Sequence, residues 1–155
     1  MKAPDNFPGF ADLAGRGFSC PSPESTRELA ARLATLLGVN SVIALEGPLG
    51  AGKTEFVKGL AHALGCHDPV TSPTFAVAHE YPDGRLPIFH FDFYRLDSAD
   101  EVLTSGFEDC LGNGVVVVEW ASRFPGHLPA NTLWVTIKID SADARTVTFS
   151  ANPCL

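Results

Sequence analysis

Leu29, Leu33, Leu36 and Leu37 recur at helical spacing, Ser22 or Ser25 stands where an N-cap belongs, and Gly38 offers a left-handed stop, so the pattern predicts an amphipathic helix. Val42-Ile43-Ala44-Leu45 then runs without a polar break, as a strand covered on both faces does. Glycines between Gly47 and Gly52 end that strand. Phe56, Val57, Leu60 and Leu64 resume helical spacing until Gly65 closes the run. The order is strand, glycine loop, helix.

Downstream the period shortens to that of strands. Phe75 to Tyr81 and Leu86 to Phe93 flank Pro82-Asp83-Gly84, a turn signal for an antiparallel hairpin. Ser98 followed by Glu101 predicts a capping box opening a short helix. Val115 to Val118 is the β-branched run of a strand inside a parallel sheet. Thr132 to Ile139 and Arg145 to Phe149 alternate as a second hairpin. The pattern predicts a three-layer α/β domain, a P-loop NTPase-like arrangement with a mostly parallel central sheet and antiparallel hairpin additions. Residues 1–21 show no periodicity and are expected to be a loosely ordered leader to a single domain over 22–155.

Gly47-Pro48-Leu49-Gly50-Ala51-Gly52-Lys53-Thr54 fits the phosphate-loop pattern of glycine, four residues, then Gly-Lys-Thr. Glycines there let backbone N–H groups turn toward phosphate oxygens, and the next helix directs its positive end at the anion. Lys53 is then a point charge for the terminal phosphates and Thr54 a hydroxyl ligand for magnesium. The bland alternative, a glycine turn with an exposed lysine, does not account for the strand before it and the helix after it.

Two acids follow two strands. Glu119 ends the Val115–Val118 run, at the carboxyl edge where open α/β sheets place ligands. It is a candidate for holding a magnesium-bound water or orienting the attacking one; alone it is equally a solvated strand-end acid. In His90-Phe91-Asp92-Phe93-Tyr94-Arg95, alternation puts His90, Asp92 and Tyr94 on one face and the two phenylalanines on the other. A lone Asp92 at a strand end is more often a turn residue, and Ser72-Pro73-Thr74 is either a turn or the carrier of a phosphate-sensing hydroxyl on Thr74. An isolated tryptophan such as Trp120 is more often core than ligand.

Composition narrows the function classes. The 155 residues are 45% hydrophobic and 19% charged, an ordinary globular balance sufficient for one core. No apolar run reaches the length of a membrane span, and Pro4, Asp5 and Pro8 interrupt what a secretory signal needs, so a cytoplasmic location is expected. Cys20, Cys66, Cys110 and Cys154 are scattered without metal-ligand or CxxC spacing and fit a reducing compartment. A net charge of -7 argues against gripping nucleic acid with the bulk surface, so any contact with RNA is expected to be indirect.

In this order, Gly47 to Leu64, Ser72-Pro73-Thr74-Phe75, His90 to Leu96 and Val118-Glu119-Trp120 resemble the bacterial TsaE (YjeE) family, the match running from about Thr26 to about Arg145. The resemblance implies an ATPase of tRNA threonylcarbamoyladenosine modification that works with TsaB and TsaD proteins and is not itself the transferase. It implies ATP or ADP and Mg2+ as cofactors, with Thr54, Glu119 and Asp92 at the metal and Lys53, Glu119 and Asp92 as the catalytic set. It further implies Thr74 near the terminal phosphate, Trp120 close to the nucleotide, and Thr26 and Arg145 at positions that touch it. Glu55 belongs to the same nucleotide-binding segment. Two positions depart from the family: Pro48 stands where Asp is frequent, and Glu55 where a second Thr or Ser is frequent. An acid at 55 repels phosphate if it faces inward and is harmless if the helix turns it out.

The expected activity is magnesium-dependent ATP hydrolysis, weak alone and raised by partners, since neither Arg95 nor Arg123 stands out as an arginine finger. Two other classes fit the same loop: a nucleotide-gated binding module with little turnover, and a small-molecule kinase. The kinase needs an acceptor pocket and a lid, for which the span from Arg95 to Val115 leaves little chain. GTP is disfavoured by the absence of an Asn-Lys-x-Asp segment.

Overall fold

The computed structural model describes residues 9–71 and 78–151. Ser72, Pro73, Thr74 and the expected start of the first hairpin strand at Phe75 lie outside the described residues. The regular elements are β1 (Gly17–Cys20), α1 (Pro23–Ala34), β2 (Val42–Glu46), α2 (Lys53–Leu64), β3 (Ala78–Tyr81), β4 (Ile88–Asp92), α3 (Ala99–Thr104), α4 (Phe107–Cys110), β5 (Val115–Glu119), β6 (Leu133–Ile139) and β7 (Arg145–Ser150).

The strands form a seven-stranded mixed sheet in the order β1-β7-β6-β2-β5-β4-β3. Its centre is parallel, β6 on β2, β2 on β5 and β5 on β4. The outer strands are antiparallel, β3 on β4 at one side and β7 on β6, then β1 on β7, at the other. Alternation along the central strands feeds two cores. Ile43, Leu45, Val115 and Val117 meet Leu29, Leu33, Phe56 and Leu60 of α1 and α2, while Val42, Ala44, Val116 and Val118 meet Val102 of α3 and Phe107 of α4. Both faces are therefore covered, which is why these strands read as unbroken apolar runs. On the second face Phe91, Phe93 and Phe107 pack edge to face with centroids 5.5 to 6.3 Å apart.

Helix ends follow local chemistry. Ser22 caps α1 by accepting from Ser25 N at 3.2 Å. The helix stops at Ala34, short of Leu36 and Leu37, and Gly38 has no positive φ. Here the last turn tightens instead: Leu36 N and Leu37 N donate three residues back, and Arg85 Nη2 takes the Ala34 carbonyl at 3.1 Å, so no left-handed glycine is needed. Gly65 does close α2 in that way, at φ 84°. The Ser98–Glu101 capping box opens α3 with both bonds made.

Within the expected leader, one described segment joins the sheet. Gly17–Cys20 pairs with β7, Phe18 meets Phe149 at 5.6 Å, and Leu13 and Cys20 are buried. A four-residue strand half open to solvent has too few alternating positions to register as a pattern.

Candidate functional site

The site lies at the carboxyl ends of β2, β4 and β5, around the start of α2. After Glu46 the chain passes Gly47, where an added Cβ would come within 2.9 Å of both Ala51 Cβ and the Ile137 carbonyl oxygen, so only glycine fits. Gly50 and Gly52 take left-handed φ of 79° and 102°, and Lys53 begins the helix. Together these turns curl the loop so that the first N–H groups of α2, which have no intrahelical acceptor, open on a cavity of about 620 Å³.

Leu49, Gly50, Ala51, Gly52, Lys53, Thr54 and Glu55 line one side of the cavity, and Asp92, Tyr94, Arg95, Glu119 and Trp120 line the other. The parallel register sets Asp92 directly beside Glu119. Asp92 Oδ1 accepts from Tyr94 N at 2.9 Å. Burial pushes the Asp92 carboxyl up from its ordinary value and the neighbouring Glu119 charge adds to this, while the Tyr94 N–H, Lys53 and His90 act in the opposite direction. Glu119 is 3% exposed, and its Oε2 lies 3.0 Å from Nε2 of His90, which is wholly buried. Lys53 Nζ donates to the Gly47 carbonyl at 2.6 Å and sits 4.5 Å above the Trp120 ring. Trp120 packs against Tyr94 with centroids 5.0 Å apart and the rings tilted by 49°. It adopts φ 58°, the one positive φ outside glycine among the described residues, and its side chain lines the cavity.

Oxygen donors from Thr54, Asp92 and Glu119 suit a hard divalent ion. Among the described residues no three His, Cys, Asp or Glu side chains gather to hold a metal by themselves.

Other expected site residues stand apart. Thr26 is buried within α1, its hydroxyl directed at the Ser22 carbonyl. Arg145 grips the phosphate loop from outside, its Nε on the Ala51 carbonyl at 2.8 Å and Nη2 on that of Gly50 at 3.2 Å. Gly47 and Pro48 shape the loop without lining the cavity. Glu55 stands at the rim, its carboxylate held by Arg27 and by Lys58 at 3.1 Å, so it faces along the α1–α2 surface. Arg123 donates to the carbonyls of Phe93 and Tyr94.

Two pairings escape sequence reasoning. Strand alternation places His90 on the polar face with Asp92 but cannot name Glu119 as its partner. Glu46 accepts from Ser122 N at 2.8 Å and from Ser122 Oγ at 3.1 Å, pinning the turn that follows Trp120 to the end of β2. Nothing in the local pattern at either residue signals that contact.

The model of the family described as Threonylcarbamoyl adenosine biosynthesis protein TsaE matches residues 20–147. A Bacillus subtilis protein named tRNA threonylcarbamoyladenosine biosynthesis protein TsaE is 43% identical over 131 residues, spanning 84% of this chain and 82% of its own. A protein of the same name from Treponema pallidum is 39% identical over 128 residues, spanning 82% and 94%. The crystal structure of Bacillus subtilis YdiB superposes with a TM-score of 0.70 at 38% identity, covering 89% of this chain and 86% of that one. With the phosphate-loop segment, the HFDFYR strand and the VEW turn all inside the matched span, the chain belongs to the TsaE family.

Proposed function

We propose that this chain is a magnesium-dependent ATPase of P-loop NTPase type that serves tRNA threonylcarbamoyladenosine modification together with TsaB and TsaD proteins. The observation that carries the ATPase half is the convergence of the glycine loop and α2 N-terminus with Asp92 and Glu119 on one cavity. The names of the relatives carry the pathway, and the family resemblance supplies the TsaB and TsaD partnership. A cytoplasmic location accords with this role; among the described residues no helix is long and apolar enough to cross a membrane.

In this reading the loop amides and Lys53 bind the phosphates, and Thr54 and Glu119 hold the metal, with Asp92 beside them. Magnesium, when bound, neutralises charge on the phosphates. Lys53 would leave its Gly47 and Trp120 contacts for the terminal phosphate. Trp120 and Tyr94 offer an aromatic wall beside the nucleotide. Glu119 or Asp92 orients the attacking water, which a positioned carboxylate does for about 10²–10⁴ in rate. Arg123 is committed to backbone carbonyls, leaving Arg95 as the arginine on the cavity wall. Slow turnover alone, and faster turnover when a partner supplies further charge, is the expectation where Arg95 does not itself reach the terminal phosphate.

Calorimetry with ATP and magnesium, followed by ATPase assays with and without TsaB and TsaD at matched salt, tests both halves. Magnesium-dependent binding with acceleration by the partners is expected. Absence of binding sinks the ATPase reading, and binding without acceleration sinks the partnership.

A further inference from the structure

Arg145 stands at the start of β7, opposite Ile139 of β6 and Cys20 of β1. Each nitrogen of its guanidinium that can donate is engaged with main-chain carbonyls. Nε and Nη2 take Ala51 and Gly50 of the phosphate loop at 2.8 and 3.2 Å. Nη1 takes Ser141 at 2.8 Å, Ala144 at 2.9 Å and Ala142 at 3.3 Å in the turn before β7. The side chain is half-buried and does not line the cavity.

Direction is what this grip controls. The carbonyl of Ala51 and the N–H of Gly52 belong to one planar trans peptide and point opposite ways. Holding the oxygen outward therefore turns the Gly52 N–H toward the cavity. It also keeps two carbonyl dipoles, which would repel a phosphate, off the inner surface. The loop needs an external restraint because Gly50 and Gly52, the residues that let it curl, are also those with the widest backbone freedom. A planar fork with five donors can satisfy two carbonyls on one side and a turn on the other at once; an ammonium cannot.

We propose that Arg145 is a positioning residue that braces the phosphate loop against the 140–144 turn and sets its amides for a polyphosphate, without itself touching the nucleotide. This rests on the nucleotide reading above and makes a different claim from it. A direct contact to base or ribose would fall to the second Nη2 hydrogen, since Nε and Nη1 are already engaged with carbonyls.

The test compares ATP with inorganic tripolyphosphate, by calorimetry, on the unchanged chain, Arg145→Lys and Arg145→Ala, with backbone amide exchange followed in the ligand-free protein. Both substitutions are expected to weaken both ligands by the same factor, on the order of 10- to 100-fold for two lost charge-assisted bonds. Amide exchange is expected to rise at Ala51 and Phe56, whose N–H groups are held by the Pro48 and Gly52 carbonyls, while the β6 and β7 core amides stay protected. A loss confined to ATP would overturn the brace in favour of a nucleoside contact. Full binding by Arg145→Lys would overturn the fork, and a rise in exchange across the whole sheet would show a merely structural role. Should the unchanged chain bind neither ligand, the nucleotide reading fails; the exchange measurement, which needs no ligand, still decides the brace.

Discussion

His90 and Glu119 form a closed pair inside the sheet, Nε2 to Oε2 at 3.0 Å, with 0% and 3% of the two residues exposed. With Glu119 ionised, His90 donates from Nε2 and its Nδ1, which has no hydrogen-bond partner among the described residues, is left bare. One carboxylate oxygen is thereby fixed from β4. If Glu119 holds the metal as proposed, losing this outer partner should cost about 10–100-fold, and His90→Leu is expected to lower turnover by about that factor. ATP affinity measured without magnesium should stay within about twofold, because the loop amides are untouched. His90→Gln, which keeps a donor, should recover part of the loss. Equal turnover in His90→Leu and the unchanged chain would rule out the coupling.

Lys53 and Glu119 should separate binding from turnover. Lys53 is the cation nearest the loop interior, and without it phosphate affinity is expected to fall at least about 10-fold. Glu119→Ala is expected to leave ATP bound and to lower hydrolysis by about 10²-fold or more. Single-turnover assays on both variants check this; a Glu119→Ala chain that hydrolyses normally would point to Asp92 as the working acid.

The phosphate loop, its strand and its helix are legible in the sequence because glycine spacing and apolar runs are local signals, as are the Ser98–Glu101 box and the Val115–Val118 strand. Long-range pairings are not. His90 and Glu119 are 29 positions apart and meet only through the β4–β5 register. Arg145 is 94 positions from Ala51, so neither residue carries a mark of the other. The resemblance implies a nucleotide contact for Arg145, and the fold brings its donors onto the Ala51 and Gly50 carbonyls of the loop. Trp120 illustrates a prior overruled by backbone: its left-handed conformation, with the next turn held by Glu46, keeps the ring on the cavity wall.

Asp92 gives the unliganded chain a pH dependence of defined sign. Burial, with the Glu119 charge, raises its pKa above the ordinary 3.8. Between those two values the folded state holds more protons than the unfolded one, so this group's contribution falls as pH rises. Asp92→Asn should therefore stabilise the unliganded chain near neutral pH and flatten its stability profile above about pH 4, even as it impairs magnesium-dependent activity. Melting temperatures of both chains across that range measure it; a variant less stable at neutral pH would contradict the sign.

Glu55 answers the concern its acidity raises. Burial acts to raise its pKa, but hydrogen bonds from Arg27 and Lys58 outweigh it, and the carboxyl lies below its ordinary range. Such a group contributes above its unfolded pKa, and the contribution is lost as pH falls through the folded one. Because the three side chains are partly exposed, the pairs are weakly stabilising. Glu55→Thr is expected to shift the melting temperature by no more than about 2 °C and turnover by no more than about twofold. A large gain in ATP affinity would mean that the acid does repel phosphate.

At Gly59, α2 comes close against the backbone of α1. A Cβ there would stand 2.3 Å from the Arg27 carbonyl oxygen, 2.8 Å from Arg27 Cα and 2.9 Å from Ala30 Cβ. Two of these are backbone atoms, which cannot turn aside as a side-chain tip can. Alanine gains about 1 kcal/mol of helix propensity over glycine, but forcing the helices apart costs about 1–3 kcal/mol, so Gly59→Ala should be destabilising. A chain of this size loses about 2–4 °C of melting temperature per kcal/mol. Gly38→Ala is the control: a methyl group there would meet nothing within 4 Å and the φ of Gly38 is not left-handed, so stability should hold or rise slightly. Since α2 carries the loop amides at its N-terminus, Gly59→Ala should also weaken ATP binding, and Gly38→Ala should not. Thermal melts paired with calorimetry on the two variants separate helix packing from a general intolerance of alanine.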